Sequence, residues 1–178
     1  MRRRAVTWWV GATLASTTLG THASTDAERE AGDVLATAMP LATLGVELWR
    51  GETTGAKQFA ASFLVTVGAT EVLKRTTQVE RPDGTNDQSF PSGHASRAFA
   101  SATYVHRRYG FADAWPLYAL ATCVGYTRVA SERHRWADVA GSAGIAALSS
   151  WWLVDPKQSV SVAVGPRSLS VQWRIALP

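Results

Sequence analysis

Six side chains carry most of the chemistry open to this chain: Lys74, Arg81, Arg128, His94, His134 and Asp138. They fall in three blocks, Lys74…Arg81-Pro82, Pro91-Ser92-Gly93-His94 and Arg128…His134…Asp138. Three cations, two imidazoles and a carboxylate form a set that can seize a phosphoryl group and pass it to a histidine. The surrounding segments are rich in Ala, Val, Leu and Trp. A permanently charged Arg beside an apolar helix is costly unless something pairs with it. An anionic ligand shared by all three blocks would meet that cost.

Each block has its own logic. Lys74 can end a helix while Arg81 sits in the next loop, where Pro82 prevents a helix from continuing. Arg offers two parallel donors to adjacent phosphoryl oxygens, and Lys supplies a point charge. Ser92 is placed to cap a helix whose free amides attract an anion, Gly93 allows the chain to pass close to it, and His94 stands at the helix start. His134 and Asp138 are four residues apart, on one face if a helix has begun there. A carboxylate on one ring nitrogen leaves the other free for nucleophilic attack. Arg128 approaches from the preceding helix, while Arg133 and Arg135 read as surface or rim charges. Glu80 and the loop acids Asp83 and Asp87 could compete for Arg81 or for the anion. A metal site has the wrong company, because three cations repel an ion and no second carboxylate has ligand spacing to either histidine. Ser92 does not lie in a G-x-S-x-G elbow, and no Walker or dinucleotide fingerprint is present.

These blocks resemble the type 2 phosphatidic acid phosphatase superfamily, which also includes bacterial class A acid phosphatases and vanadium haloperoxidases. That family's blocks read Lys-x6-Arg-Pro, Pro-Ser-Gly-His and Ser-Arg-x5-His-x3-Asp. Here they read Lys74-x6-Arg81-Pro82, Pro91-Ser92-Gly93-His94 and Thr127-Arg128-x5-His134-x3-Asp138, over about 65 residues. Thr127 replaces a Ser and keeps the hydroxyl. The resemblance implies an all-α fold, a compact helical bundle of the phosphatidic acid phosphatase and haloperoxidase type. It implies hydrolysis of phosphate monoesters, of a lipid or isoprenoid in the leading reading, through a phosphohistidine on His134. By the same resemblance Asp138 holds that imidazole and His94 exchanges protons with the leaving group and water. Lys74, Arg81, Ser92, Gly93 and Arg128 hold the phosphoryl oxygens, with no metal and no other cofactor. Vanadate-dependent halide oxidation is the enzymatic alternative, and a non-catalytic anion-binding or scaffold protein is the other.

The elements that must position these groups follow from periodicity. Helices are expected from about Gly32 to Trp49, Ala56 to Arg75, Gly93 to Arg108, Asp113 to Val129 and His134 to Val154. Val160, Val162 and Val164, then Leu169, Val171, Trp173 and Ile175, alternate with polar or small residues and predict a C-terminal β-hairpin over about 159–176. The core thus spans about 32–154. Cys123, among apolar and small residues, is expected to be buried. Phe90 and Trp136, next to the blocks, are expected to pack inward, with a place on the pocket rim as the alternative.

Apolar residues make up 46% of the chain and charged ones 18%, which fits one folded domain and excludes disorder. The net charge of +4 comes largely from Arg2, Arg3 and Arg4, so no cationic face for nucleic acid remains. Those arginines precede an apolar run, Ala5 to Leu19, and small residues at Thr21-His22-Ala23. Residues 1–23 therefore read as an export signal and 24–178 as the phosphatase domain. The expected location is the periplasm. The competitor is an inner-membrane protein with short tilted helices and its site facing the periplasm, so peripheral or integral membrane association is part of the expectation. The expected partner is a phosphorylated small molecule or lipid; the sequence does not address oligomeric state.

Overall fold

A computed structural model of the protein describes residues 23–165 and 168–175. The expected export signal falls on residues 1–22 and their neighbour Ala23, almost wholly outside the described residues. Five helices precede a short sheet: α1 Ala23–Trp49, α2 Thr53–Thr77, α3 Gly93–Tyr109, α4 Phe111–Ala130 and α5 Trp136–Leu153. Strands β1 Gln158–Gly165 and β2 Ser168–Ile175 then pair antiparallel, with Val162 opposite Val171.

Two boundaries differ from the sequence expectation. Helix α1 starts nine residues before Gly32, because Ser24 to Ala31 carries good helix formers and acids that suit a helix N-terminus. Helix α5 starts at Trp136 rather than at His134, so the third block straddles a loop and a helix. Cys123 is exposed, contrary to expectation, because it lies on the outward face of α4 while Ala121 and Val124 face the core.

Helix α3 lies at the centre and touches the other four helices. Its buried residues are mostly small, Ala95, Ser96, Ala98, Ala100, Ser101 and Ala102 among them, which lets neighbouring backbones come close. Several buried hydroxyls at these interfaces are satisfied within their helices or across them, while Ser101 Oγ has no partner. Thr66 donates to the Ser62 carbonyl at 2.8 Å, and Thr70 donates to Ser96 Oγ at 2.8 Å. Thr103 donates to the Ala146 carbonyl at 3.1 Å and so joins α3 to α5. Larger side chains, Phe59, Tyr104, Val105 and Val154, pack with Ala114 at the end remote from the blocks.

Among the described residues, α1 from Ala27 to Trp49 is the one helix long and apolar enough to cross a membrane. It is anchored at its far end by Glu47, which is 2% exposed. Tyr109 donates its hydroxyl to both Glu47 oxygens at 2.8 and 2.9 Å. The Arg108 guanidinium lies 4.0 Å from the same carboxylate and 3.3 Å from Glu52. Removing one partner of a buried charge pair strands the other. Glu47→Ala is therefore expected to lower folding stability by about 3 kcal/mol, read as a shift in the denaturant midpoint, with Glu47→Gln losing less because it keeps an acceptor for Tyr109.

Candidate active site

The third block folds around one carbonyl. Arg128 ends α4, and its carbonyl oxygen accepts the amides of Arg133 at 3.1 Å and His134 at 3.2 Å. This tight return places His134 in the loop just before α5, with its side chain 4% exposed. Asp138 sits in the first turn of α5. Its Oδ2 accepts the Arg135 amide at 2.8 Å and the Ser89 hydroxyl at 2.5 Å. The same oxygen is 3.4 Å from His134 Nδ1, a charge contact without the alignment of a full hydrogen bond. Asp138 thus caps the helix and faces the imidazole together.

The second block docks on the third. The Ser92 amide donates to the Asp138 carbonyl at 3.3 Å, and Ser142 Oγ donates to the Ser92 carbonyl at 2.9 Å. Ser92 occupies the N-cap position of α3, as expected, but its hydroxyl makes no capping bond. Fully buried, Ser92 Oγ has no hydrogen-bond partner. A buried hydroxyl without a partner costs free energy, and an oxyanion at the start of α3 would relieve it. Phe90 lies against Gly141, where a Cβ would come within 2.4 Å of the ring, so the loop leading into this block is pinned on α5. Trp136 is 51% exposed and takes the rim position.

The cations converge on the same end of the bundle. Lys74, in the last turn of α2, is buried and donates to the Gln88 carbonyl at 3.0 Å. Gly93 packs on its stem, since a Cβ there would meet Lys74 Cε at 3.6 Å. Burial first, then the Arg81 charge, lowers the Lys74 pKa. Arg81 donates its Nε to Asn86 Oδ1 at 2.9 Å, and burial and Arg133 lower its pKa. Of the loop acids, Asp83 is taken by Arg133 at 3.0 Å, and Arg135 bonds the backbone carbonyl of Glu80 at 2.7 Å. Arg133 and Arg135 thus brace the loop around the site.

Arg128 brings in a residue that the sequence motifs do not mark. Its NH1 donates to Asp33 Oδ1 at 2.8 Å and its NH2 to the Arg29 carbonyl at 2.7 Å, both on α1. His94 Nε2 lies 2.9 Å from the same Asp33 oxygen. Helix α1 reaches them through Gly32, where a Cβ would come within 2.2 Å of Thr127 Oγ1 and 2.7 Å of Arg128 NH2. An acid in the middle of an amphipathic helix has no sequence signature beyond charge. Only the bare Gly32 beside it hints at a close approach.

Burial and surrounding charge govern both histidines. For His94, burial first and then Arg128 and Arg97 push the pKa down to about 4, with Asp33 pulling the other way. For His134, burial first and then Lys74 and Arg81 push it down to about 4, opposed by Asp138. The site therefore holds neutral imidazoles beside cations, poised for an anion. Among the described residues, no three His, Cys, Asp or Glu side chains are grouped to hold a metal ion. Beside the site an apolar groove of about 390 Å³ runs between α1 and α2, lined by Ala36, Pro40, Leu44 and Phe59. It meets a second cavity of about 250 Å³ at Phe63 and Arg97, and that cavity reaches Gly93.

Residues 55–158 match the PAP2 superfamily. The Lipid A 1-phosphatase of Porphyromonas gingivalis is 38% identical over 81 residues, which is 42% of this chain and 18% of that protein. The Lipid A 4'-phosphatase of Helicobacter pylori is 34% identical over 116 residues, 59% of this chain and 58% of that protein. The matches thus span less than two thirds of either relative. The crystal structure of Aquifex aeolicus LpxE has the same fold, with a TM-score of 0.63 at 18% identity over 75% of this chain and 86% of that one.

The depressed histidines also set a stability profile. Between the ordinary value of 6.5 and about 4, the unfolded chain binds protons that the folded imidazoles refuse, so stability rises with pH across that window. Acidification from pH 6.5 to 4 should lower the thermal midpoint, and His134→Asn should remove part of that slope while leaving the midpoint above pH 7 nearly flat. A midpoint unchanged by acid across this window would contradict the buried neutral imidazoles.

Proposed function

The chain belongs to the PAP2 superfamily, and from that membership and the geometry of its site we propose that it hydrolyses a lipid phosphate ester through a phosphohistidine. The observation that carries this reading is the setting of His134: a buried imidazole, held neutral among Lys74 and Arg81, with Asp138 at its Nδ1. A neutral imidazole is a competent nucleophile, and the cations beside it suit a phosphoryl group.

In the first step Nε2 of His134 attacks phosphorus. The P–N bond forms as the P–O bond to the leaving group breaks, and that electron pair goes to the leaving oxygen. His94, whose protonated form a bound phosphoryl dianion would favour, supplies the proton that this oxygen needs. In the second step a water oxygen attacks phosphorus, its proton passes to His94, and the P–N pair returns to His134. Lys74, Arg81 and Arg128 neutralise the phosphoryl oxygens, with Ser92 Oγ and the Gly93 amide as neutral donors. Asp138 steadies the imidazolium that develops on His134.

A lipid substrate is favoured by the groove that leads away from Gly93 and Arg97. From Asp33 to Leu44 the flanking α1 runs for about 16 Å, half the hydrocarbon thickness of a bilayer. The outer surface agrees. Leu41, Leu64, Val65 and Leu148 are exposed along the helices, with Trp49, Trp115, Trp151 and Trp152 exposed near the end remote from the site. Such a surface suits a membrane, with tryptophans at the headgroup level. The chain is accordingly read as exported, with residues 1–23 as its signal, and held at a membrane facing the periplasm. Lipid A and related lipid phosphates are the first substrates to test.

His134→Ala should abolish phosphate release from lipid phosphates, and rapid-quench mass spectrometry of the unaltered enzyme should find a phosphoryl adduct on His134. An adduct on Ser92, or near-normal turnover in the variant, would sink the assignment. Orthovanadate should inhibit competitively, because it can fill the same cradle in a transition-state-like geometry. A chain that releases phosphate from soluble monoesters as readily as from lipids would remove the lipid reading and leave the phosphatase one.

A further inference from the structure

Helix α1 lies wholly outside the segment that matches the family, residues 55–158, yet it reaches the site. Asp33 Oδ1 is 2.8 Å from Arg128 NH1 and 2.9 Å from His94 Nε2. One carboxylate oxygen thus joins a phosphate ligand to the proton-transfer histidine. Resting on the phosphatase reading, we propose that Asp33 is the positioning residue for His94: it fixes the ring and favours the protonated form that the leaving group needs.

Three observations support this role. The contact is built in, because Gly32 lets α1 approach Thr127 and Arg128 more closely than any side chain would permit. Arg128 is held on both sides of that approach, by the Asp33 carboxylate and by the Arg29 carbonyl at 2.7 Å. The arrangement also parallels the other half of the site, since each histidine has one carboxylate: Asp138 at His134 Nδ1 and Asp33 at His94 Nε2.

The electrostatic need is specific. Facing His94 are Lys74 on α2, Arg128 on α4 and, on its own helix, Arg97, whose Nε bonds the Gly93 carbonyl at 3.3 Å. The one charged residue of α5, Asp138, is engaged with His134, Ser89 and Arg135. Burial and three cations all favour the neutral ring, and Asp33 alone among these groups favours the charged one. A general acid must carry its proton when the leaving group departs. For His134 the opposite holds, since a nucleophile must be neutral, and its carboxylate partner lies farther away at 3.4 Å. The two distances match the two needs.

Asp33→Asn tests the assignment, because the amide keeps the shape and removes the charge. Asp33 is 54% exposed, so the fold should survive, which circular dichroism and amide spectra would verify. Histidine ring NMR should show the His94 titration moving down by about one pH unit or more, the size expected when an opposite charge within hydrogen-bond reach is lost. With poor alkyl leaving groups kcat should fall about 10-fold to 100-fold, within the contribution of a general acid, while activated aryl phosphates change about 3-fold or less. The limb on which activity falls with rising pH should shift to lower pH, and Asp33→Glu should restore part of it.

A His94 titration that does not move in Asp33→Asn, or an equal loss for both classes of leaving group, would overturn the role. Tighter orthovanadate binding with unchanged kcat would also overturn it, and would make Asp33 a resident competitor for the anion. The ring titration requires no turnover. If the unaltered enzyme forms no phosphoryl adduct and releases no phosphate, the phosphatase reading fails, while the NMR shift still decides whether Asp33 holds His94.

Discussion

Cations can be buried in a helical bundle only if the bundle supplies acceptors or anions for them. Here Lys74 and Arg128 are buried, Arg81 is half-buried, and two imidazoles lie among them. Two carboxylates answer this charge, Asp138 and Asp33, and backbone carbonyls of Gln88 and Arg29 supply the remainder. The surplus of positive charge is left for a ligand. Both histidines are driven toward neutrality by burial first and then by that surplus, and Ser92 is left with an unanswered hydroxyl. The rest of the molecule can be understood as the framework that keeps this unfavourable cluster in place.

That framework relies on small residues and on helices that are fixed at both ends. Alanines and serines on α3 let four helices crowd around it, so the ends of α2, α3 and α4 and the loop before α5 open onto one small volume. Helix α1 is clamped at the remote end by Glu47 with Tyr109 and Arg108, and at the site end by Asp33 with Arg128. A carboxylate and an arginine form the clamp at each end. At the remote end the acid is buried and the contact is structural; at the site end the acid is half exposed and touches the histidine proposed as general acid. One helix thus couples the integrity of the bundle to the placement of His94.

The outer face follows a different rule from the core. Large apolar side chains such as Leu64, Trp115 and Trp152 are exposed, while many buried positions are Ala, Ser or Thr. Small residues inside and large ones outside are what helix packing beside a lipid phase selects, because close approach rather than exclusion of water holds the helices together. The groove between α1 and α2 continues this apolar surface inward to Arg97 and Gly93. The cationic end and the apolar flank are thus joined within a single molecule, as the proposed lipid phosphate substrate would require.

Much of this was legible in the chain itself. Spacing alone linked Lys74 with Arg81, marked Pro91-Ser92-Gly93-His94 as a helix entry, and set His134 four residues from Asp138. Hydrophobic period gave five helices, and alternation after Gln158 matched the two strands. These are local properties, written in short windows where backbone preference and side-chain type decide the outcome. Tertiary structure decided the rest. That Ser92 makes no cap bond, that His134 sits before α5 rather than on it, and that Cys123 and Trp136 face outward depend on which surfaces meet. Asp33 is the clearest case: it lies 61 positions before His94, and beyond the bare Gly32 beside it nothing near it in sequence distinguishes it from a solvated acid. Its role arises only where Gly32 lets α1 settle onto Thr127 and Arg128, because a carboxylate acquires meaning from the charges that packing brings to it.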